Sequence, residues 1–373
     1  MARATAVREI EALPEADRLE GFPHPRETLR LFGHQDAQHE LAETLQKEQV
    51  HHGWLLSGPP GIGKASLAYK FAKCLLASRE DRRTESGSLD VPESSVANRQ
   101  VVSLSHPGLL VLRRPYDTSG KRFLSSIPVD EVRRLRSFLS HRAAENSWRV
   151  VIVDSADDLN VNAANALLKS LEEPPERMVF LLVSSEPGRL LNTVRSRCRR
   201  LTLAELNEAD LKLAVEQAFK ASDGDLPTDD IWDRLVPLAK GSVRRLISIH
   251  AAGGLELHQK VMGIFTKLPE VDWSQVHALA DSLAPAAAAE KYLLYNELLF
   301  EFLAQVVKAG VAEAGDPSVR AVAAKLVRSE RLASWATLWE TLVREEDETR
   351  ALNLDRKAFI IGTIQRIEAA ARQ

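Results

Sequence analysis

Lys64 closes a glycine-rich run that could hold a phosphate: Gly58-Pro59-Pro60-Gly61-Ile62-Gly63-Lys64-Ala65-Ser66, directly after the apolar Trp54-Leu55-Leu56. A phosphate-binding loop needs a glycine, four residues, then Gly-Lys and a Ser or Thr. Its glycines let backbone N–H groups wrap the phosphate, its lysine brings positive charge, and its hydroxyl helps hold Mg²⁺. Gly58, Gly63 and Lys64 fit, with Gly61 and Ser66 in the same turn, but Ala65 stands where the hydroxyl belongs. The chain Val150-Val151-Ile152-Val153-Asp154 adds a second element of the same chemistry. A carboxylate at the C-terminal tip of such a strand faces the phosphate site and would hold the metal.

These residues act only if the chain positions them. The apolar run before Gly58 reads as a short buried strand and Ser66 to Leu76 as a helix, which is the context the loop requires. Apolar residues at helical spacing predict a helix over Gln35 to Gln49. Residues 79–100 are polar and Ser-rich and predict a surface excursion. His106 to Arg113 reads as a strand and Pro128 to Ala143 as a helix with acidic residues in its first turn. The β-branched run Trp148 to Asp154 predicts a central strand. A helix follows over Asn162 to Leu171, stopped by Glu172-Glu173-Pro174-Pro175, then a buried strand over Met178 to Ser184 and a basic turn over Leu190 to Cys198. Alternation with short connections predicts a parallel sheet covered on both faces, an α/β P-loop domain. Beyond Leu203 the pattern is helical throughout, with Gly253-Gly254 as a candidate boundary. The expected division is a tail over 1–21, a nucleotide-fold domain over 22–203, a small helical lid over 204–253 and an all-helical domain over 254–373.

Composition narrows the classes. The 373 residues are 45% hydrophobic and 27% charged, as in a soluble protein of two or three domains. A net charge of −3 gives no global attraction for nucleic acid or anionic membrane. No stretch has the length of a membrane span. The Ala-, Arg- and Glu-rich N-terminus lacks an apolar signal core and reads as a frayed tail. Two cysteines, Cys74 and Cys198, exclude a disulfide framework and fit a reducing, cytoplasmic setting. His34, His51 and His52 lack a further ligand set at metal spacing, so no metal site is expected. The tryptophans at 232, 273, 335 and 339 fall in helical stretches and read as core.

Three motifs together resemble the bacterial clamp-loader family of AAA+ proteins: Asp154 to Asn160, Asn165 to Pro175, and Ser196-Arg197-Cys198. The likeness extends through His24-Pro25-Arg26, Leu31 to His34 and His52 to Leu56, and covers roughly residues 22–250. Within that family the motifs are most similar to the delta-prime type of subunit. The resemblance implies a hetero-pentamer of motor (gamma/tau), delta and delta-prime subunits. Such a ring opens the sliding β clamp and places it on primed DNA, as part of the DNA polymerase III holoenzyme. No stretch resembles a polymerase active site.

The resemblance also assigns residues. Arg197 matches the arginine that completes the neighbouring subunit's ATP site in trans, where a guanidinium stabilises charge on the transferring phosphoryl group. By themselves Arg195, Arg197, Arg199 and Arg200 read as a solvated basic turn. Arg244, in Gly241-Ser242-Val243-Arg244, matches a lid arginine that can reach a γ-phosphate, with Arg245 beside it. Ser184 or Ser185 falls at the end of the third strand, where a sensing residue sits. In hydrolysing members a glutamate follows the strand-end aspartate, and here that residue is Ser155. Ala65 and Ser155 are two losses on one reaction coordinate. Lys64 and the loop amides leave weak ATP or ADP binding open. Many relatives carry four zinc-binding cysteines after the P-loop helix; residues 77–105 have none, so zinc is not expected. The leading expectation is a non-hydrolysing ring subunit. The alternatives are an active AAA+ motor or a stand-alone nucleotide- or DNA-binding module.

Overall fold

The computed structural model describes residues 13–82, 88–140, 147–222, 224–312, 316–327 and 331–373. The chain forms two compact units, one of residues 1–226 and 239–244, the other of 227–238 and 245–373. Parts of three expectations lie outside the described residues: the tail before Leu13, the centre of the polar insert at 83–87 and the last residues, 141–143, of the helix expected over Pro128 to Ala143.

The first unit is built on five parallel strands: β1 (Gly53–Ser57), β2 (Leu109–Leu112), β5 (Arg149–Val153), β6 (Met178–Ser184) and β7 (Arg199–Thr202). Between β2 and β5 a short antiparallel pair, β3 (Tyr116–Asp117) and β4 (Arg122–Phe123), forms its own ribbon. The large sheet runs β2-β5-β6-β1-β7. Every residue of β1 and β6 is buried, and the two are in register from Gly53 opposite Phe180 to Ser57 opposite Ser184. Their near-continuous apolar sequence follows, because a parallel strand has helices on both faces. Alternation sorts the side chains. Trp54, Leu56, Val150, Ile152 and Leu181 join a core with helices α1 (Gln35–Gln46) and α2 (Lys64–Leu76). Leu55, Val151, Val153, Phe180 and Leu182 face α4 (Val129–Ser140) and α5 (Val161–Glu172). Helix α5 starts where the Asn160 side chain accepts the Ala163 N–H at 2.8 Å, a side-chain N-cap.

Three expectations change. Residues 79–100 are not wholly a surface excursion: Leu89 is fully buried in the α2 core, and Ser95 caps α3 (Val96–Val102). The basic run after α6 (Asn192–Arg195) is not one solvated turn, since Arg199 and Arg200 lie in β7. An edge strand that buries only Leu201 can carry arginines, so it has no apolar signature. Residues 13–21 are not frayed, as the site below shows.

Helix α7 (Glu208–Lys220) completes the first unit. Helices α8 (Asp229–Ala239) and α9 (Val243–Ala251) each have residues in both units. The second unit continues with α10 (Gly254–Lys267), α11 (Trp273–Leu283), α12 (Ala289–Ala312), α13 (Pro317–Leu326), α14 (Leu332–Ala351) and α15 (Arg356–Arg372). Helix α12 is its axis, with Tyr295, Leu299, Leu303 and Val306 buried against α10, α13 and α14. Trp232 and Trp335 are core residues, as expected, while Trp273 and Trp339 are only half-buried.

Candidate functional site

Strand β1 ends at Ser57 and the chain turns through Gly58–Gly63 into α2, so the loop sits at the C-terminal edge of the sheet. Two of its glycines have reasons on both counts, conformation and space. Gly58 has φ 148° and a Cβ there would lie 2.3 Å from the Leu203 carbonyl oxygen; Gly61 has φ 74° and a Cβ there would lie 2.4 Å from Ser242 Oγ. Positive φ favours glycine, and the close neighbours remove any room for a side chain.

The loop is closed on itself. Lys64 is buried, and its ammonium donates to the Gly58 carbonyl at 2.8 Å, to the Pro59 carbonyl, and to Ser185 Oγ at 3.0 Å. An ammonium has three protons, so each is already directed at a protein acceptor. Burial pulls the Lys64 pKa down to about 8, opposed by the nearby Asp154 and Asp157 carboxylates. His34 Nε2 donates to the Ile62 carbonyl at 2.8 Å, since a carbonyl only accepts. Ser66 Oγ meets Thr28 Oγ1 at 3.2 Å. The Arg244 backbone N–H donates to the Gly61 carbonyl at 3.3 Å, which fixes the start of α9 on the loop.

Asp154 follows β5 and is buried, as expected of a strand-end carboxylate, but its neighbour is a second acid. The Asp17 carboxyl, from the N-terminal segment, lies close enough to act on its charge, while Asp154 Oδ2 has no hydrogen-bond partner among the described residues. Burial and that like-charged neighbour push the Asp154 carboxyl well above the usual carboxylate range. Burial acts on Asp17 in the same direction but is outweighed by its bond to His24 and by the Arg113 charge, which hold it low. Two adjacent carboxyls do not both ionise easily, so Asp154 is the one that keeps a proton.

Asp17 belongs to a larger buried network. It accepts from Arg113 at 2.9 Å and lies 2.7 Å from His24 Nε2. His24 is fully buried and its Nδ1 accepts the Arg26 N–H at 3.1 Å, which leaves the ring proton on Nε2. Glu15 pairs with Arg113 at 2.6 Å and with Arg26 at 2.7 Å. The Arg244 guanidinium reaches the Asp17 main-chain carbonyl at 3.3 Å. Glu15 and Asp17 carry no motif, and an acidic stretch rich in alanine reads as a solvated tail. Only the arginines that converge on it from elsewhere in the chain reveal its role.

Asp157 is a further residue that sequence reasoning passed over. Its carboxylate accepts from Ser184 Oγ at 2.5 Å and from the Ser185 and Glu186 N–H groups at 2.6 and 3.2 Å. It thereby holds the end of β6, and with it the Ser185 hydroxyl that Lys64 grips. Arg245 is not an alternative to Arg244, because it is paired to Glu297 at 2.7 Å and also to Glu301.

Arg197 lies apart from this cluster, just past α6. Its guanidinium donates to the Thr193 carbonyl at 3.0 Å and pairs with Glu172 at 2.8 Å, and its side chain is 36% exposed. It is half-exposed, on a short turn tied to the end of α5. Arg199 instead lies over the Trp54 ring and pairs with Glu40 at 2.7 Å, and Arg200 donates to Ser57 Oγ at 3.1 Å.

Burial alone raises the Cys198 thiol to about 12, and it is the leading cause that raises Cys74 to about 11. Neither forms a thiolate near neutral pH. The native protein at pH 8 is expected to resist iodoacetamide at both cysteines, and the unfolded protein to react at both, as read by intact mass. Cys74 is buried and Cys198 only half-buried, so rapid native alkylation of Cys198 would contradict the raised pKa of its thiol.

In this arrangement the P-loop is closed on itself, with its phosphate-binding lysine turned inward. Lys64 is bonded to three protein acceptors, Asp154 has the Asp17 carboxyl as well as the Arg113 and Lys64 charges near it, and Ala65 offers no hydroxyl. Among the described residues no group of three or more His, Cys, Asp and Glu side chains is placed to hold a metal. No described helix is long and apolar enough to cross a membrane.

Residues 33–207 match the family described as DNA polymerase III, delta subunit. The chain is 40% identical over 152 residues to the DNA polymerase III subunit delta' of Pseudomonas aeruginosa, a stretch covering 41% of this chain and 43% of that protein. It is 26% identical over 268 residues to the gamma/tau subunit of Mycobacterium bovis, covering 71% of this chain and 44% of that one. The matches thus span less than half the length of these curated relatives. Among solved structures, a gamma-subunit-related DNA polymerase III protein of Thermotoga maritima aligns over 89% of this chain and 100% of its own, at 17% identity and a TM-score of 0.40. The matched segment carries the P-loop, the Asp154 strand and the Ser196-Arg197-Cys198 turn, and over that segment the chain is similar to the DNA polymerase III delta-subunit family of clamp-loader proteins.

Proposed function

We propose that this chain is a non-hydrolysing, delta-prime-type subunit of a DNA polymerase III clamp loader. In this reading it sits in a hetero-pentamer with gamma/tau and delta subunits and supports ATP-dependent loading of the sliding β clamp onto primed DNA in the cytoplasm. It lends Arg197 to the neighbouring ATP site, while its own P-loop serves as scaffold. The three-part division at 22–203, 204–253 and 254–373 belongs to this proposal, with the last segment as the oligomerising collar.

One observation carries it: the chain's own phosphate loop is closed, with every Lys64 proton taken, while Arg197 is half-exposed at the surface. A hydrolysing site needs its lysine free for phosphate and a metal-holding hydroxyl. The longer match to gamma/tau subunits favours a motor reading. Ala65, Ser155 and the tied lysine weigh against it. The purified chain is expected to show no ATP turnover, with or without primed DNA, and to form a stable complex with motor and delta subunits. Robust turnover by the isolated chain, abolished by Lys64→Ala, would establish the motor reading instead.

A further inference from the structure

The N-terminal segment Glu15–Arg18 is held far more firmly than a terminal strap requires. Glu15 is gripped by Arg26 and Arg113, with Arg18 at 3.1 Å as a third partner. Asp17 is gripped by Arg113 and His24, and its main-chain carbonyl by Arg244. The Asp17 and Glu15 side chains are 9% and 13% exposed, so these charges are largely removed from water. Such pairs are costly to bury and are weak evidence for stability in themselves. A specific use is the better account of them.

The position of the strap supplies that use. On one side Asp17 lies near Asp154, the carboxylate that a metal would need, whose Oδ2 is buried without a hydrogen-bond partner; on the other its main-chain carbonyl takes up Arg244, the arginine that a γ-phosphate would need. An aspartate side chain and a carbonyl oxygen are oxygen ligands, and they satisfy a guanidinium as phosphate oxygens do. We propose that Glu15–Arg18 is a tethered plug, in which Asp17 occupies the space between Asp154 and Arg244 and closes the P-loop site to nucleotide. The degenerate loop is then shut by two devices: Lys64 turned onto its own loop, and a strap from the chain's N-terminus laid across the metal side. Because the plug stands against mass action, a ligand can open it only by exceeding the affinity of the strap for its arginines.

The test is nucleotide binding by the isolated full chain, which does not depend on whether Arg197 acts in a neighbouring site. A fluorescent ATP analogue is titrated into the unaltered chain, into Glu15→Gln/Asp17→Asn, and into a form lacking residues 1–20, each first shown to melt cooperatively. The isosteric pair keeps side-chain volume, and the truncation removes the strap altogether. At least about tenfold tighter binding is expected in both altered forms, a gain of about 1.4 kcal/mol. Lys64→Ala in the truncated form should abolish it. Folded strapless protein that binds no better than the unaltered chain would overturn the plug. So would an unaltered chain that already binds as tightly. Either result leaves the Arg197 reading standing, because that reading is decided by turnover of the assembled complex.

Discussion

Arg197→Ala is expected to slow DNA-stimulated ATP hydrolysis by the reconstituted clamp loader by up to about 10³-fold, the lower end of the loss seen when an arginine finger is removed. A smaller loss follows if the complex's other ATP sites carry part of the turnover. The cause lies in geometry and charge. A guanidinium offers a rigid planar set of donors that matches phosphate oxygens, and it is always charged. Arg197 is available for this because its present partners are weak competitors. Its ion pair with Glu172 is between side chains 36% and 42% exposed, and such surface pairs contribute less than about 1 kcal/mol. Exchanging Glu172 for a phosphate therefore costs little. Assembly should be unaffected, since Arg197 supports no buried packing, and size-exclusion chromatography of the variant complex checks this. Arg197→Lys keeps a charge but loses the planar fork, and is expected to recover little of the rate. Unchanged turnover in an intact Arg197→Ala complex would remove this residue from the mechanism.

Trp54→Ala is expected to be the most damaging single change in the first unit, lowering its stability by about 3–5 kcal/mol. Trp54 is fully buried in β1, between β6 and β7, and belongs to the core shared by α1 and α2. Truncation leaves a large cavity in a close-packed interior and also removes the ring beneath Arg199. Trp54→Phe should be much milder. The indole N–H has no hydrogen-bond acceptor among the described residues, so exchanging it for a phenyl edge sacrifices no polar contact. Urea denaturation of the two variants, compared with the unaltered chain, reads the difference. Equal losses would mean that the cost lies in the polar edge rather than in volume, and would contradict this account.

The sheet was legible because its determinants are local. Continuous β-branched and apolar runs over Arg149–Val153 and Met178–Ser184 mark strands buried on both faces. Strand β7 was not legible, because pairing along one edge asks for hydrogen bonds rather than for apolar side chains. Helix α3 was hidden for a related reason: its entry is polar, and its few anchors, Leu89 before it and Val101 within it, are spread among serines and charged groups. Lys64 and Asp154 were found from spacing, and Arg197 and Arg244 from the resemblance to the clamp-loader family. The roles of Glu15, Asp17, Arg113 and Asp157 were not, because each is defined by partners distant in the chain.

The sequence by itself determined that this chain carries a phosphate loop lacking its hydroxyl, a strand-end carboxylate without a following glutamate, and an intact Ser196-Arg197-Cys198. Those are statements about residue types at fixed spacing, and no folding is needed to make them. Tertiary structure alone decided what the remaining charges do. It turned Lys64 onto the Gly58 and Pro59 carbonyls and Ser185, brought Asp17 near Asp154, and left Arg197 half-exposed. The physical reason is that a buried charge takes its meaning from its partner, and partners 17, 113, 154 and 244 are assembled only when the sheet and its connections have packed.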